Sequence, residues 1–108
     1  MRTPMRYAQG TASTSGNNTV IAAPSGAGER IAIVGLHIQN ASASETTVIL
    51  KFGSDSILPL VLPAKGDGEV RDFQHPWTAP AETAVILNLS GANDTLYSFA
   101  YWVEEIGS

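Results

Sequence analysis

Two histidines, His37 and His75, are the only side chains of this 108-residue chain suited to act as a base near neutral pH. Base-assisted nucleophilic chemistry needs such a histidine within reach of a hydroxyl or thiol, with a third group to orient it. His37 lies inside an apolar run, and His75 sits in a turn, Gln74–Pro76, beside Trp77. Both read as structural residues. Paired carboxylates could hydrolyse glycosides, and the pairs on offer are Glu104 with Glu105 and Asp67 with Glu69. Neighbours on a strand point to opposite faces, so Glu104 and Glu105 cannot share one site. Asp67 and Glu69 could approach a hard cation, yet their turn lacks the dense oxygen-ligand spacing of a calcium loop and reads as solvated. Gly26, Gly28, Gly66 and Gly68 lack the lysine and following helix of a phosphate-cradling loop. Cysteine is absent, which removes disulfides and thiolate metal sites. The expectation is a protein with no catalytic site, no cofactor and no metal.

The aromatic residues suggest binding instead. Trp77, Trp102, Tyr97 and Tyr101 could stack on sugar rings, although such residues in small β domains usually fill the core or an interface. Trp102 shares a strand face with Ser98 and Ala100. On so small-sided a surface a tryptophan stands proud, as anchor residues at protein interfaces do.

The elements that must position these residues read as strands. Arg30 to Phe52 holds two long β-branched runs, Ile31 to Ile38 and Thr46 to Phe52, around the polar cluster Asn40 to Ser44, which closes a hairpin or a corner between sheets. Thr19 to Ala22 is a short strand, and Ile57 to Leu62 carries Pro59, which argues for a sheet edge or a bulge. Glu69 to Phe73 is a modest strand; Gln74 to Ala81, with two prolines, reads as a loop. In Glu82 to Ser90, Thr83, Val85, Leu87 and Leu89 form the core face. Gly91 to Asp94 reads as a tight hairpin into Thr95 to Glu105, where Tyr97, Phe99, Tyr101 and Val103 share a face. Seven to eight strands without a helical period predict an all-β, antiparallel β-sandwich of the jelly-roll type. Residues 1–17, rich in Thr, Ser, Gly, Ala and Asn, read as an extended or flexible arm or a loosely held first strand, with one domain over 18–108.

Charge narrows the partners. Only 15% of residues are charged, against about 25% in typical soluble domains. Arg2 and Arg6 have no acid near them, while the rest of the chain sets four basic residues against ten acids. Such a body is a poor match for nucleic acid. No apolar run is long enough to span a bilayer, and the first ten residues lack a signal-peptide core. Both faces of the long strands carry apolar groups with no helix expected to cover them, so self-association is the economical way to bury them.

The run Asn18-Thr-Val-Ile-Ala-Ala-Pro, then Gly28-Glu-Arg-Ile-Ala-Ile-Val-Gly-Leu, Thr47-Val-Ile-Leu-Lys-Phe-Gly and Ala84-Val-Ile-Leu-Asn-Leu-Ser-Gly before the closing Tyr97 to Val103 strand resembles small virion proteins of tailed bacteriophages, in particular capsid decoration, or cement, proteins with a jelly-roll fold. The resemblance spans about residues 18 to 106 and rests on strand-and-turn texture. It implies a homotrimer, made in the host cytoplasm, that sits on the capsid exterior and staples major capsid protein subunits together. It also makes Arg2, Arg6, Tyr7, His75 and Trp77 candidates for capsid contact, and His37, Tyr101 and Trp102 candidates for the subunit interface. The alternative is a receptor- or carbohydrate-binding module of a tail or fibre, with Trp77, Tyr97 or Tyr101 as stacking platforms.

Overall fold

The computed structural model describes residues 2–63, 66 and 68–106. Among them eight strands form two antiparallel sheets: β1 (Arg6–Ala12), β2 (Gly16–Ile21), β3 (Glu29–Asn40), β4 (Thr46–Phe52), β5 (Asp55–Leu62), β6 (Gly68–Thr78), β7 (Val85–Leu89) and β8 (Thr95–Glu105). The front sheet runs β1-β8-β3-β6 and the back sheet β2-β7-β4-β5. Set side by side, these orders match each strand with its chain neighbour, which is the β-sandwich of a jelly roll. Both sheets turn an apolar face inward. Ile31, Ile33, Leu36, Ile38, Phe99 and Val103 of the front meet Val48, Leu50, Phe52, Leu60, Leu62, Val85, Leu87 and Leu89 of the back.

The alternation in β4 and β7 is regular, each inward side chain buried and each outward one half-buried. β3 is different, because its inward set changes parity from Ile31 and Ile33 to Leu36, Ile38 and Asn40. A bulge at Val34 causes the switch: Ile33 pairs with Tyr101 and Gly35 with Ala100, leaving Val34 as the extra residue. One inserted residue reverses every later side chain in a two-residue repeat. This is why Ile31 to Ile38 reads as apolar at nearly every position.

One connection settles an open alternative and two differ from expectation. Asn40 to Ser44 is the corner between sheets, since β3 and β4 belong to opposite sheets. The corner is built on Asn40, which is fully buried. Its Nδ2 donates to the carbonyls of Ser44 (2.8 Å), Leu62 (3.1 Å) and Pro63 (3.2 Å), and its Oδ1 accepts from the Ser42 N–H (2.9 Å) and hydroxyl (2.7 Å). Gly91 to Asp94 is not a hairpin either, because β7 lies in the back sheet and β8 in the front. The Asp94 carbonyl instead accepts from the Ala41 N–H, tying this crossover to the Asn40 corner. A short polar cluster serves a hairpin or a crossover equally well; the burial of Leu87 and Phe99 from opposite sides of the core decides between them. Only β4 and β5 form a hairpin of consecutive strands among the described residues.

The second difference concerns Gln74 to Ala81. The strand continues to Thr78, although its pairing with β3 jumps from Gly35–Asp72 to Ile33–Trp77. Phe73 to Pro76 therefore stand opposite Val34 alone, and the edge position of β6 tolerates Pro76. At the start of the chain, Arg6 to Ala12 pair along their whole length with β8. Arg2 bridges to Glu104, and Thr3 exchanges hydrogen bonds with Val103, its N–H donating to the carbonyl (2.8 Å) and its hydroxyl accepting from the N–H (3.0 Å). The segment read as an arm thus supplies an edge strand and the first residues of β2. Its inward positions are small, with Ala8 and Ala12 against the core and Gly10 beneath Tyr97, whose hydroxyl lies 2.8 Å from where a Cβ would stand.

Candidate functional site

The outward face of the front sheet gathers most of the exposed residues singled out from the sequence. Register places Tyr7, Ala100, Gly35 and Asp72 in one cross-strand row, and Gln9, Ser98, His37 and Val70 in the next. Strands about 4.8 Å apart put Tyr7 and Asp72 roughly 14 Å from each other across two small residues. The result is a trough of about 200 Å³ floored by Gly35, Ala100 and Ser98 and walled by Tyr7, His37, Val70 and Asp72. Gly35 keeps the floor low: a Cβ there would lie 3.2 Å from the Asp72 Oδ1. Tyr7 and Val70 are 67% and 68% exposed, conspicuous for large apolar groups.

Ser98, His37 and Asp72 are the residue types of a nucleophilic triad, and the fold brings all three to one depression. No hydrogen bond joins any two of them among the described residues, so the proton path that such chemistry requires is not assembled. They stand as separate polar groups facing solvent. Asp67 of the Asp67–Glu69 pair lies outside the described residues. Among those described, no three His, Asp or Glu side chains converge as metal ligands.

Beside the trough on the same face, Trp102 belongs to a chain of contacts. Its indole N–H donates to Glu104 Oε1 (2.6 Å), Glu104 Oε2 accepts from Arg30 (2.9 Å from Nε, 2.8 Å from the terminal nitrogen), and the Arg2 guanidinium lies 4.0 Å from the indole ring centre. Hydrogen bonds from Trp102 and then Arg30 hold the Glu104 carboxyl below its usual value of 4.5, against a smaller opposing effect of burial. Trp102 is half-buried in this arrangement, opposite the fully buried Ala32. It is thus a packed member of the outer surface, and Arg2 is engaged within the chain.

The remaining candidates separate. His37 and Tyr7 are exposed on the front face, and His75 is exposed in the Phe73–Pro76 bulge. Arg6 is exposed at the start of the edge strand, opposite Tyr101. Tyr97, Tyr101 and Trp77 pack partly against the core, with Trp77 also stacked on Phe73 at 4.3 Å between ring centres. As stacking platforms for a sugar, these three are turned the wrong way.

The back sheet has its own outward patch. Asn88, Ile49 and Pro59 share a row, Ile86 pairs with Lys51, and Thr47 with Val61, which is 62% exposed. Asn17 Oδ1 accepts from Asn88 (2.7 Å) and Lys51 (3.5 Å) at its rim. Ile49, Val61, Asp72 and Ser98 did not stand out in the sequence; the signal for the first two is the outward set of each alternating strand, while the last two become neighbours only through register. Compared with known proteins, the sequence matches no family model and no curated protein.

Proposed function

We propose that this chain is a contact protein of a bacteriophage virion, one that self-associates and binds the outer capsid surface, bridging major capsid protein subunits. The observation that carries the reading is the exposure of large apolar side chains on the outward faces of both sheets: Tyr7, Val70 and Leu96 on the front, Ile57 and Val61 on the back. Apolar groups on two opposite faces give a small domain two surfaces to bury, one against copies of itself and one against another protein. The low charged fraction supports the same reading, since charged residues are depleted in the cores of protein interfaces. Jelly rolls recur in viral capsids and equally in lectins and cupins, so the fold alone adds an analogy and no more.

Light scattering of the purified protein, alone and after mixing with undecorated phage heads, tests the proposal. A stable homo-oligomer, expected to be a trimer, that co-sediments with heads agrees with it; a monomer that stays in the supernatant overturns it. Val61→Glu and Val70→Glu, one on each sheet, then assign the two faces. One is expected to lower the solution mass and the other to abolish co-sedimentation at unchanged mass.

A further inference from the structure

The trough on the front sheet has features that a surface built only for protein packing does not require. Its walls present a carboxylate (Asp72), an imidazole (His37), a hydroxyl (Ser98) and an aromatic ring (Tyr7), and no hydrogen bond or ion pair among the described residues engages any of the four side chains. At the centre of the floor, Gly35 and Ala100 carry nothing longer than a methyl group, and Ser98 presents its hydroxyl from the floor's margin. A ligand suited to this trough is about one ring in size, offers an apolar face to Tyr7, and carries groups that both donate and accept hydrogen bonds. Asp72 only accepts, whereas His37 and Ser98 each donate and accept.

We propose that this trough is a subsite for one neutral pyranose ring of a glycan. The ring lies over Ala100 and Gly35, with its C–H face on Tyr7 and its hydroxyls directed at Asp72, His37 and Ser98. A sugar hydroxyl donates to the Asp72 carboxylate and accepts from His37 or Ser98, so each of the three groups gains the partner it lacks. A guanidinium or ammonium group would satisfy Asp72 but has no acceptor for the donors on the opposite wall. The site differs from the aromatics that the sequence offered for stacking, because Trp77, Tyr97 and Tyr101 pack against the core. The trough shares Tyr7 and Val70 with the front apolar surface, so the proposal assigns self-association to the back sheet and makes a sugar and the capsid alternatives on the front. It rests on the proposed function only in that assignment. Glycoside binding is read by NMR on the free protein and capsid binding by co-sedimentation, so either can fail alone.

The test is a titration followed by NMR, reading the Tyr7 ring and His37 Cε1–H resonances as methyl glycosides of glucose, galactose and mannose are added to about 50 mM, enough to reveal a millimolar Kd. At least one glycoside is expected to give saturable shifts at both residues. Tyr7→Ala is expected to weaken that binding about fivefold or more, the loss of one aromatic contact. Asp72→Asn should weaken it as well, and Gly35→Ala should do so by raising the floor beneath the ring. Thr19→Ala, at an exposed position of the back sheet outside either contact surface, should leave it unchanged. Tyr7 is largely exposed, so its truncation should spare the fold; if it does not, Asp72→Asn and Gly35→Ala carry the same test. The proposal is overturned by an absence of saturable shifts with all three glycosides, by undiminished binding in the trough variants, or by tighter binding of L-arginine methyl ester at the same resonances.

Discussion

Replacing Asn40 by Asp changes one nitrogen into an oxygen, yet the geometry of the corner makes this among the most damaging near-isosteric changes available to the chain. The Asn40 amide nitrogen spreads its two protons over the carbonyls of Ser44, Leu62 and Pro63, and the residue is fully buried. In Asn40→Asp those protons vanish, and a carboxylate oxygen faces three carbonyl oxygens. The lost hydrogen bonds are worth about 2 kcal/mol together, and setting a desolvated carboxylate against the buried Leu62 carbonyl adds about as much again. A deficit of about 4 kcal/mol at pH 7 would consume much of the roughly 5–15 kcal/mol that holds a domain of this size folded. At 4 to 8 °C per kcal/mol, Tm should fall by roughly 20 °C.

The pH dependence is the sharper test. Burial and the facing carbonyls favour the neutral acid, so the folded pKa of the introduced carboxyl lies above its unfolded value of about 3.9. A raised folded pKa means that the protonated form fits best, so the deficit against the parent protein is largest above the folded pKa and shrinks toward pH 4. A protonated carboxyl can also return one O–H donor to a carbonyl. Urea unfolding of both proteins at pH 7 and pH 4 measures the deficit at each. A deficit under about 1 kcal/mol at pH 7, or one that fails to shrink at pH 4, would refute this account of the corner.

Other perturbations address other links. Glu104→Gln keeps an acceptor for Trp102 but loses the ion pair with Arg30; both partners are partly exposed, so about 1 kcal/mol should be lost at pH 7 by thermal melting. Because the Glu104 pKa is lowered on folding, its contribution is present above its unfolded value of 4.5 and disappears as pH falls through the folded value, so parent and variant melts should converge toward pH 3. Trp102→Ala uncovers Ala32 and frees Arg2 and should cost about 2 kcal/mol in urea unfolding, roughly half the value for a fully buried tryptophan. Deleting Val34 removes the parity switch, turning either Ile31 and Ile33 or Leu36 and Ile38 outward. No cooperative unfolding transition is expected from that variant by circular dichroism.

The sandwich was legible in the sequence because β4 and β7 alternate cleanly and Pro59 marks a sheet edge, where β5 indeed lies. What could not be read was connectivity between sheets. Gly91 to Asp94 has the composition of a hairpin, and nothing local reveals that β7 and β8 face the core from opposite sides. β6 was cut short because Pro76 and the residues around it break the period, whereas tertiary pairing resumes at Trp77. The Val34 bulge hides in an apolar run: with Ala32 and Gly35 buried on the outer side, the parity change leaves no polar residue to mark it. For the same reason Tyr7 and His37 could be singled out one at a time, but their meeting with Asp72 and Ser98 depends on four strands in register, a fact of the sheet and not of any segment.

The four sheet edges differ in a way that limits how the molecule can aggregate. β5 is broken by Pro59 and an unpaired Ile57, β6 by Pro76 and its four-residue bulge, and β2 by a shift at Val20. Among the described residues only β1 presents a regular seven-residue edge. A cross-β fibre needs each unit to pair at two edges, one for the copy before it and one for the copy after. A unit with one usable edge has a valence of one: pairing through β1 would end at two copies, with no free strand left for a third. Apolar patches can therefore face outward on both sheets without the folded chain becoming a template for its own polymerisation.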